Sequence, residues 1–388
     1  MDEHRRSKIL FLAVTFLFWI ALYLYVPTLP LYLKARATNL STVGLVLSMY
    51  GLWMAFARLP MGIISDALGH SKLLIALGLS STVIGTVIMG LGKNIPVLAA
   101  GRAFTGLSAA TWVLLIAVFS TFFDADKAIF SSSMLSFAAN FGRLLATAST
   151  GFLNRVGGYS LAFYLAGVLG VVAIVMVLFV REVRLPPMQV SLRSVGELFL
   201  RRDVMMPTVF SVLVHYADWS VTFGFLPVLA QEMGMGDVFK SLLISLNIAG
   251  IVVANLLNTL LVRKIGHRKL LTTGALLMFA GIVVIAYSPV RAFLFIGTVS
   301  MGFAFGMVYP ILMGMSIQQV ERTKRSTAMG IHQSVYAIGM FTGPWLAGNI
   351  ADRFGIRSSF YITACIYLVL VLTMLLFLFR RGWSKAHA

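Results

Sequence analysis

Twelve apolar stretches follow one another along this chain, each about 18 residues or longer and separated by short polar breaks. A run of that length spans the ~30 Å hydrocarbon layer of a bilayer when helical. Backbone polar groups have no water to bond in that layer, so such runs must be helices. Alternating segments of about ten residues, which a membrane barrel requires, are absent. The sequence therefore predicts an all-α membrane protein. Its spans are Lys8–Leu33, Thr42–Ile64, Ser71–Leu91, Pro96–Phe122, Ala128–Leu153 and Gly158–Val180. After a break follow Val204–Ala230, Ser241–Val262, Leu270–Tyr287, Ala292–Met315, Ser326–Ile350 and Ser358–Phe379.

Only 11% of the 388 residues are charged, against about 25% in a soluble domain, which agrees with lipid as the main solvent. The net charge of +18 raises nucleic acid as a partner, but the placement of the cations argues against it. With the N-terminus inside, twenty of the 31 Lys and Arg fall in cytoplasmic segments and eight in outer loops. That excess follows the positive-inside rule and places both termini in the cytoplasm, in the plasma membrane of a cell. Three arginines, Arg58, Arg102 and Arg143, fall within spans. The single cysteine, Cys365, excludes a disulfide framework and a Cys-based metal site. The first apolar run is too long for a signal peptide and lacks a small-residue cleavage pattern, so it reads as a retained span.

The chain uses one phrase twice. Gly69-His70-Ser71-Lys72-Leu73-Leu74 returns 197 residues later as Gly266-His267-Arg268-Lys269-Leu270-Leu271. Pro227 echoes Pro27, and Phe360-Tyr361 echoes Phe163-Tyr164. Two halves of six spans follow from this: residues 1–184, a cytoplasmic linker over 185–202 with a short amphipathic helix at 192–202, and residues 203–388.

The first copy of the phrase sits in Gly62-Ile63-Ile64-Ser65-Asp66-Ala67-Leu68-Gly69-His70-Ser71-Lys72. This string resembles the loop between the second and third helices of the major facilitator superfamily of transporters. The Arg102-to-Gly106 segment with its small residues resembles a second motif of that family, in the fourth span. The fifth span reads Gly142, Ala146, Thr147, Gly151 where antiporter branches carry a Gly-Pro pair. The eleventh reads Gly339, Gly343, Pro344, Gly348. The resemblance covers essentially the whole chain. It implies two six-helix bundles related by an axis along the membrane normal, rocking around a central site by alternating access. It also implies that Gly62, Asp66, Gly69 and Lys72 form a latch that holds helices 2 and 11 together. Asp66 would accept hydrogen bonds from the start of helix 11 or from an arginine. Arg58, eight residues before Asp66, is expected to join an ion-pair cluster with it.

The polar residues inside spans carry the functional reading, because each is costly in hydrocarbon. Of thirteen acids, Asp218 alone falls in the middle of a span, in His215-Tyr216-Ala217-Asp218-Trp219. His215 and Asp218 are three apart and share a helix face. Such a carboxyl suits proton loading, binding of a cationic substrate, or a fixed ion pair with Arg143 or Arg102. Arg143 suits a carboxylate or phosphate held by both prongs of its guanidinium, or a fixed carboxylate such as Asp218. Arg102 is a relay or substrate contact, or a structural arginine tied to backbone carbonyls. Trp219, Asn247, Asn140, His332 and Gln333 are the remaining cavity candidates.

No nucleophile–base pair is evident, no third ligand joins His215 and Asp218 for a metal, and no Gly-x-x-x-x-Gly-Lys phosphate loop occurs. No enzyme activity and no cofactor are expected. The expectation is a monomeric secondary transporter in the lipid bilayer, exporting small amphipathic molecules in exchange for protons. An organic-anion transporter using Arg143 and Arg102 is the alternative, and a non-transporting receptor on the same fold the third reading.

Overall fold

The computed structural model describes residues 3–69, 71–124, 127–180, 192–321 and 324–380. Ten helical stretches among them are long and apolar enough to cross a membrane. One, Phe130–Leu178, holds two passes, because Gly157 and Gly158 leave helical geometry and Gly158 adopts φ 69°. Beyond that break the chain runs back along its neighbour. Tyr164 lies beside Gly90, Gly170 beside Val83, and Leu178 beside Lys72. Arg325–Phe354 is too polar to count among the ten, yet its 30 residues reach about 45 Å and pack inside the bundle. The total is twelve passes, as the sequence predicts.

We number them α1 (Arg5–Lys34), α2 (Leu40–Leu68), α3 (Lys72–Leu91), α4 (Ile95–Ser120), α5 (128–156) and α6 (159–178). The second half holds α7 (Arg202–Glu232), α8 (237–265), α9 (267–287), α10 (Arg291–Gln318), α11 (Arg325–Phe354) and α12 (Ile356–Arg380). An even number of passes returns the chain to the end of the bundle where it began. We call this the terminal end and the opposite one the far end. The repeated phrase marks terminal-end turns in both halves. Gly69 closes α2 at φ 68°, and Gly266 parts α8 from α9 at φ 77°, values that only glycine adopts without strain. His70 lies outside the described residues, as do 185–191 of the expected linker. Leu192–Leu200 forms the expected short helix, which buries Val195 and Leu198 against Val204, Ala328 and Ile331.

Three of the spans are interrupted. Proline explains two of them. It lacks an N–H, and its ring presses on the carbonyl four residues back. In α1 a 3-10 turn, Val26–Thr28, follows Tyr23 and precedes the terminal piece Leu29–Lys34. In α7 the turn ahead of Pro227 widens to a π-helix over Val221–Phe225, and the Leu226 N–H reaches the Val221 carbonyl. The break in α4 falls at Thr111, whose N–H bonds Ser108 O at 2.9 Å.

Large apolar side chains such as Phe137, Phe152 and Leu256 are exposed on the outside of the bundle, where lipid covers them. α7 is the opposite case, with 94% of its most apolar stretch buried. The halves meet along α2–α11 and α5–α8. A Cβ on Gly51 of α2 would lie 2.5 Å from the Phe341 amide nitrogen of α11. A Cβ on Gly151 of α5 would lie 2.5 Å from Val238 Cα of α8. Small residues thus bring whole backbones together where packing, not hydrophobicity, must hold helices in lipid.

Candidate functional site

The carboxyl of Asp218 sits midway along α7 and is 1% exposed. Asn247 of α8 donates from Nδ2 to its Oδ1 at 3.4 Å and lies 3.5 Å from Thr222 Oγ1, one turn further along α7. Gly302 of α10 lets that stretch of α8 come close, since a Cβ there would meet Asn247 C at 2.8 Å. None of the ion pairs among the described residues involves Asp218. The fixed pair with Arg143 or Arg102 that the sequence allowed is therefore not formed. The neighbours supply neutral hydrogen-bonding groups instead of a cation.

Arg102 and Arg143 approach the centre from the other half. Arg102 of α4 is 2% exposed and places its guanidinium carbon 4.3 Å from the Tyr50 ring. Its Nε and Nη1 have no hydrogen-bond partner. Arg143 of α5 lies 3.5 Å above the Trp19 ring and 5.1 Å from that of Tyr23, with Nε likewise unpartnered. Arg102 is therefore not tied to backbone carbonyls through Nε or Nη1. It is held by the face of an aromatic ring.

The rings between the two arginines form a continuous chain across the halves. Tyr50 stacks on Trp219 at 5.2 Å and 16°. Trp219 meets Phe223 at 5.1 Å, and Phe223 meets Tyr23 edge-on at 6.1 Å. Trp19 continues to Trp112 at 5.5 Å. Trp219 alone of these was a sequence candidate. A signal for Trp19, Tyr23 and Phe223 exists. Phe16, Trp19, Tyr23 and Pro27 return as Tyr216, Trp219, Phe223 and Pro227, each 200 residues on. The Pro27–Pro227 echo extends backwards into the ring chain.

His215 does not hydrogen-bond Asp218, although the two share a helix face. Its Nδ1 donates to Ser211 O at 2.8 Å, and its ring lies flat on Tyr336 at 3.9 Å. Phe305 and Tyr309 meet it edge-on. His332 is wholly buried between α11 and α7, with Thr208 Oγ1 2.9 Å from Nδ1 and Ser211 Oγ 3.2 Å from Nε2. Gln333 is buried with Oε1 unpartnered. Asn140, one turn before Arg143, is half-buried.

The expected pairing of Arg58 with Asp66 is absent. Arg58 is 2% exposed. It donates from Nη1 to Tyr336 Oη at 2.6 Å and from Nη2 to Ala109 O at 2.9 Å. Eight helical residues separate Arg58 from Asp66 by about 12 Å along the axis, beyond the reach of a side chain turned inward. Asp66 is half-buried and forms no ion pair with a described residue. Lys72 donates to Leu178 O at 2.5 Å and Val180 O at 2.9 Å, closing the C-terminal end of α6 within its own half. Gly62 packs loosely: a Cβ there would lie 3.9 Å from its nearest neighbour, Val113 Cγ1.

Polar groups also join the halves at the far end. Asp352 of α11 accepts from the Leu40 and Ser41 N–H groups of α2. Asn154 of α5 donates to Asp237 of α8 at 3.1 Å, and Lys34 lies 3.6 Å from Glu232.

The sequence profile of the Major Facilitator Superfamily matches residues 11–211 and again 208–386. The multidrug resistance protein MdtG of Erwinia billingiae is 27% identical over 91% of this chain and 89% of its own length. The quinolone resistance protein NorA of Staphylococcus aureus is 30% identical over 42% of this chain and 41% of its own. Among solved structures, a bacterial homolog of the human lysosomal transporter Spinster, inward-facing and unoccupied, superposes with a TM-score of 0.80. It shows 15% identity and covers 97% of this chain and 96% of that one. The nucleoside transporter NupG gives 0.74 at 15% identity, covering 96% and 98%. At such identities the structures speak for the fold alone. With twelve passes in two halves and the profile matching each half in turn, the chain belongs to the Major Facilitator Superfamily of membrane transporters.

Proposed function

We propose that this transporter exports small amphipathic molecules in exchange for protons, with Asp218 as the proton carrier. The observation that carries the reading is the buried carboxyl of Asp218, which faces the Asn247 amide and no cation. A lone carboxylate at that depth is costly, and protonation removes the cost. Uptake and release of a proton therefore change the energy of α7 against α8 by an amount large enough to drive a rearrangement. The ring chain from Tyr50 to Trp19 is buried where the halves meet, and its flat faces are of the kind amphipathic compounds need once the halves part. Multidrug and quinolone resistance proteins among the relatives support export of such compounds.

In this reading the terminal end is cytoplasmic, as the cation distribution requires, and the far end faces outward from the plasma membrane. The far-end contacts then hold the outer side shut. Asp66, with Gly62, Gly69 and Lys72 beside it in sequence, takes its latch role at the cytoplasmic side in the alternate state. Both halves and the site lie within one chain, so a monomer suffices, with 1–184 and 203–388 as its bundles.

The test uses proteoliposomes with an imposed pH gradient and a panel of lipophilic dyes. Wild type is expected to move a dye only with the gradient. Asp218→Asn is expected to bind it but lose gradient-driven accumulation. Undiminished accumulation in that variant removes Asp218 from coupling, and binding without movement in the wild type favours a receptor.

A further inference from the structure

We infer that Arg102 and Arg143 form the anion-binding end of the substrate site, so that the cargo is a flat aromatic molecule bearing a carboxylate. This rests on the transporter reading above and names the substrate class of that same site.

The argument starts from charge. Three guanidiniums, Arg58, Arg102 and Arg143, lie in the interior of passes of the first half, whereas in the second half Asp218 is the carboxyl that lies midway along its pass and the other acids lie near pass ends. Arg58 has two partners, the Tyr336 hydroxyl and the Ala109 carbonyl. Arg102 and Arg143 have no carboxylate among the described ion pairs. Buried N–H donors without acceptors are costly, and three are present: Arg102 Nε, Arg102 Nη1 and Arg143 Nε. An anion that accepts from them offsets that cost and the excess positive charge together.

Geometry narrows the anion. Tyr50 and Trp19 hold the guanidiniums by their faces, at 4.3 and 3.5 Å. Ring stacking occupies the face of a guanidinium and leaves its edge, where the N–H groups point, for a two-pronged acceptor. A carboxylate matches that fork. Arg102 sits on Tyr50 and Arg143 lies 5.1 Å from the Tyr23 ring, and Trp219 and Phe223 bridge those two rings, so both cations border one aromatic patch. The surrounding Tyr50, Trp219, Phe223 and Trp19 favour a planar ring beside the carboxylate. A simple lipophilic cation would instead meet two unneutralised arginines. A zwitterion would place its ammonium toward Asp218.

The experiment measures binding, not transport, to purified full-length protein in detergent. Benzoate, 2-naphthoate and indole-3-acetate are each titrated against their own carboxamide, which has the same shape without the charge. At least one acid is expected to bind about tenfold or more tightly than its amide. Arg143→Gln and Arg102→Gln should bring that ratio close to one. Arg143→Lys, which keeps the charge but not the fork, should restore only part of it. Variants are compared where elution profile and unfolding midpoint match the parent. No preference for the acid in any pair overturns the inference, as does a preference that survives both glutamine variants. Asp218→Asn separates the two readings. Its loss of coupling with no acid preference leaves the exporter without this subsite. Retained acid preference with coupling unaffected leaves the subsite without Asp218 as carrier.

Discussion

Asp352 near the end of α11 accepts the backbone N–H of Leu40 at 2.6 Å and that of Ser41 at 2.7 Å, so a residue of the second half caps a helix of the first. The first turn of a helix leaves its N–H groups without intrahelical acceptors and carries partial positive charge. Asn39 satisfies the Thr42 N–H at 2.9 Å, and Asp352 takes the two that remain in front of it. Asp352→Ala hands those donors to water. The closed far end is expected to lose about 1 kcal/mol, a shift of roughly fivefold toward its opening. Spin labels at Thr38→Cys and Phe354→Cys, in a Cys365→Ser background, would report this as a new long-distance population. An unchanged distance distribution shows that the cap plays no part in closure.

Gly51 sets how near α2 comes to α11. A methyl there would lie 2.5 Å from Phe341 N and 2.6 Å from Met340 C, both backbone atoms that cannot swing aside. Gly51→Ala is expected to cost about 1–3 kcal/mol through overpacking and to lower the unfolding midpoint in detergent. Gly196→Ala in the linker helix is the control, since nothing lies within 4 Å of a Cβ there. Equal midpoints for the two variants would contradict the close approach of α2 and α11.

The twelve passes and the turns at Gly69 and Gly266 were readable in the sequence, because hydrocarbon imposes length and apolarity directly and a left-handed turn selects glycine. The burial of Asp218 and its neighbour Asn247 were readable for a related reason: polar residues in apolar runs are too costly to be casual. Partners were harder. Arg58 and Asp66 are close in sequence, but a buried guanidinium takes acceptors from whichever helices pack around it, here α4 and α11. The stacking of Arg102 on Tyr50 and of Arg143 on Trp19 depends on helix rotation, which hydropathy does not encode. The π-turn of α7 was foreshadowed only by Pro227, whose effect could equally have been a kink.

His332 is expected to be structural. The Thr208 hydroxyl donates to Val204 O at 2.6 Å, so its oxygen accepts from His332 Nδ1–H. That tautomer leaves Nε2 to accept from Ser211 Oγ, and both ring nitrogens are satisfied in the neutral form. His332→Ala should lower stability by about 1–3 kcal/mol through lost bonds and packing, seen as a lower unfolding midpoint. The pH profile of transport should stay in place. A displaced profile would assign His332 a role in proton movement instead.

Tyr336 joins three helices through one hydroxyl and one ring. Its Oη accepts from Arg58 Nη1 at 2.6 Å while its ring lies 3.9 Å from that of His215. Tyr336→Phe keeps the stack and deletes the bond. The buried cation then retains only Ala109 O, since Arg58 Nε has no partner. A hydrogen bond to a charged group contributes about 1.5–3 kcal/mol, so the cost falls on the arrangement in which α2 and α11 meet. The expected result is a redistribution of about tenfold or more away from that arrangement, read with the Thr38→Cys and Phe354→Cys labels. Arg58→Lys, whose single ammonium cannot copy the two-pronged reach to α4 and α11, should move the equilibrium the same way. If neither substitution alters the label distances, the bond between Arg58 and Tyr336 is incidental packing and plays no part in holding the halves together.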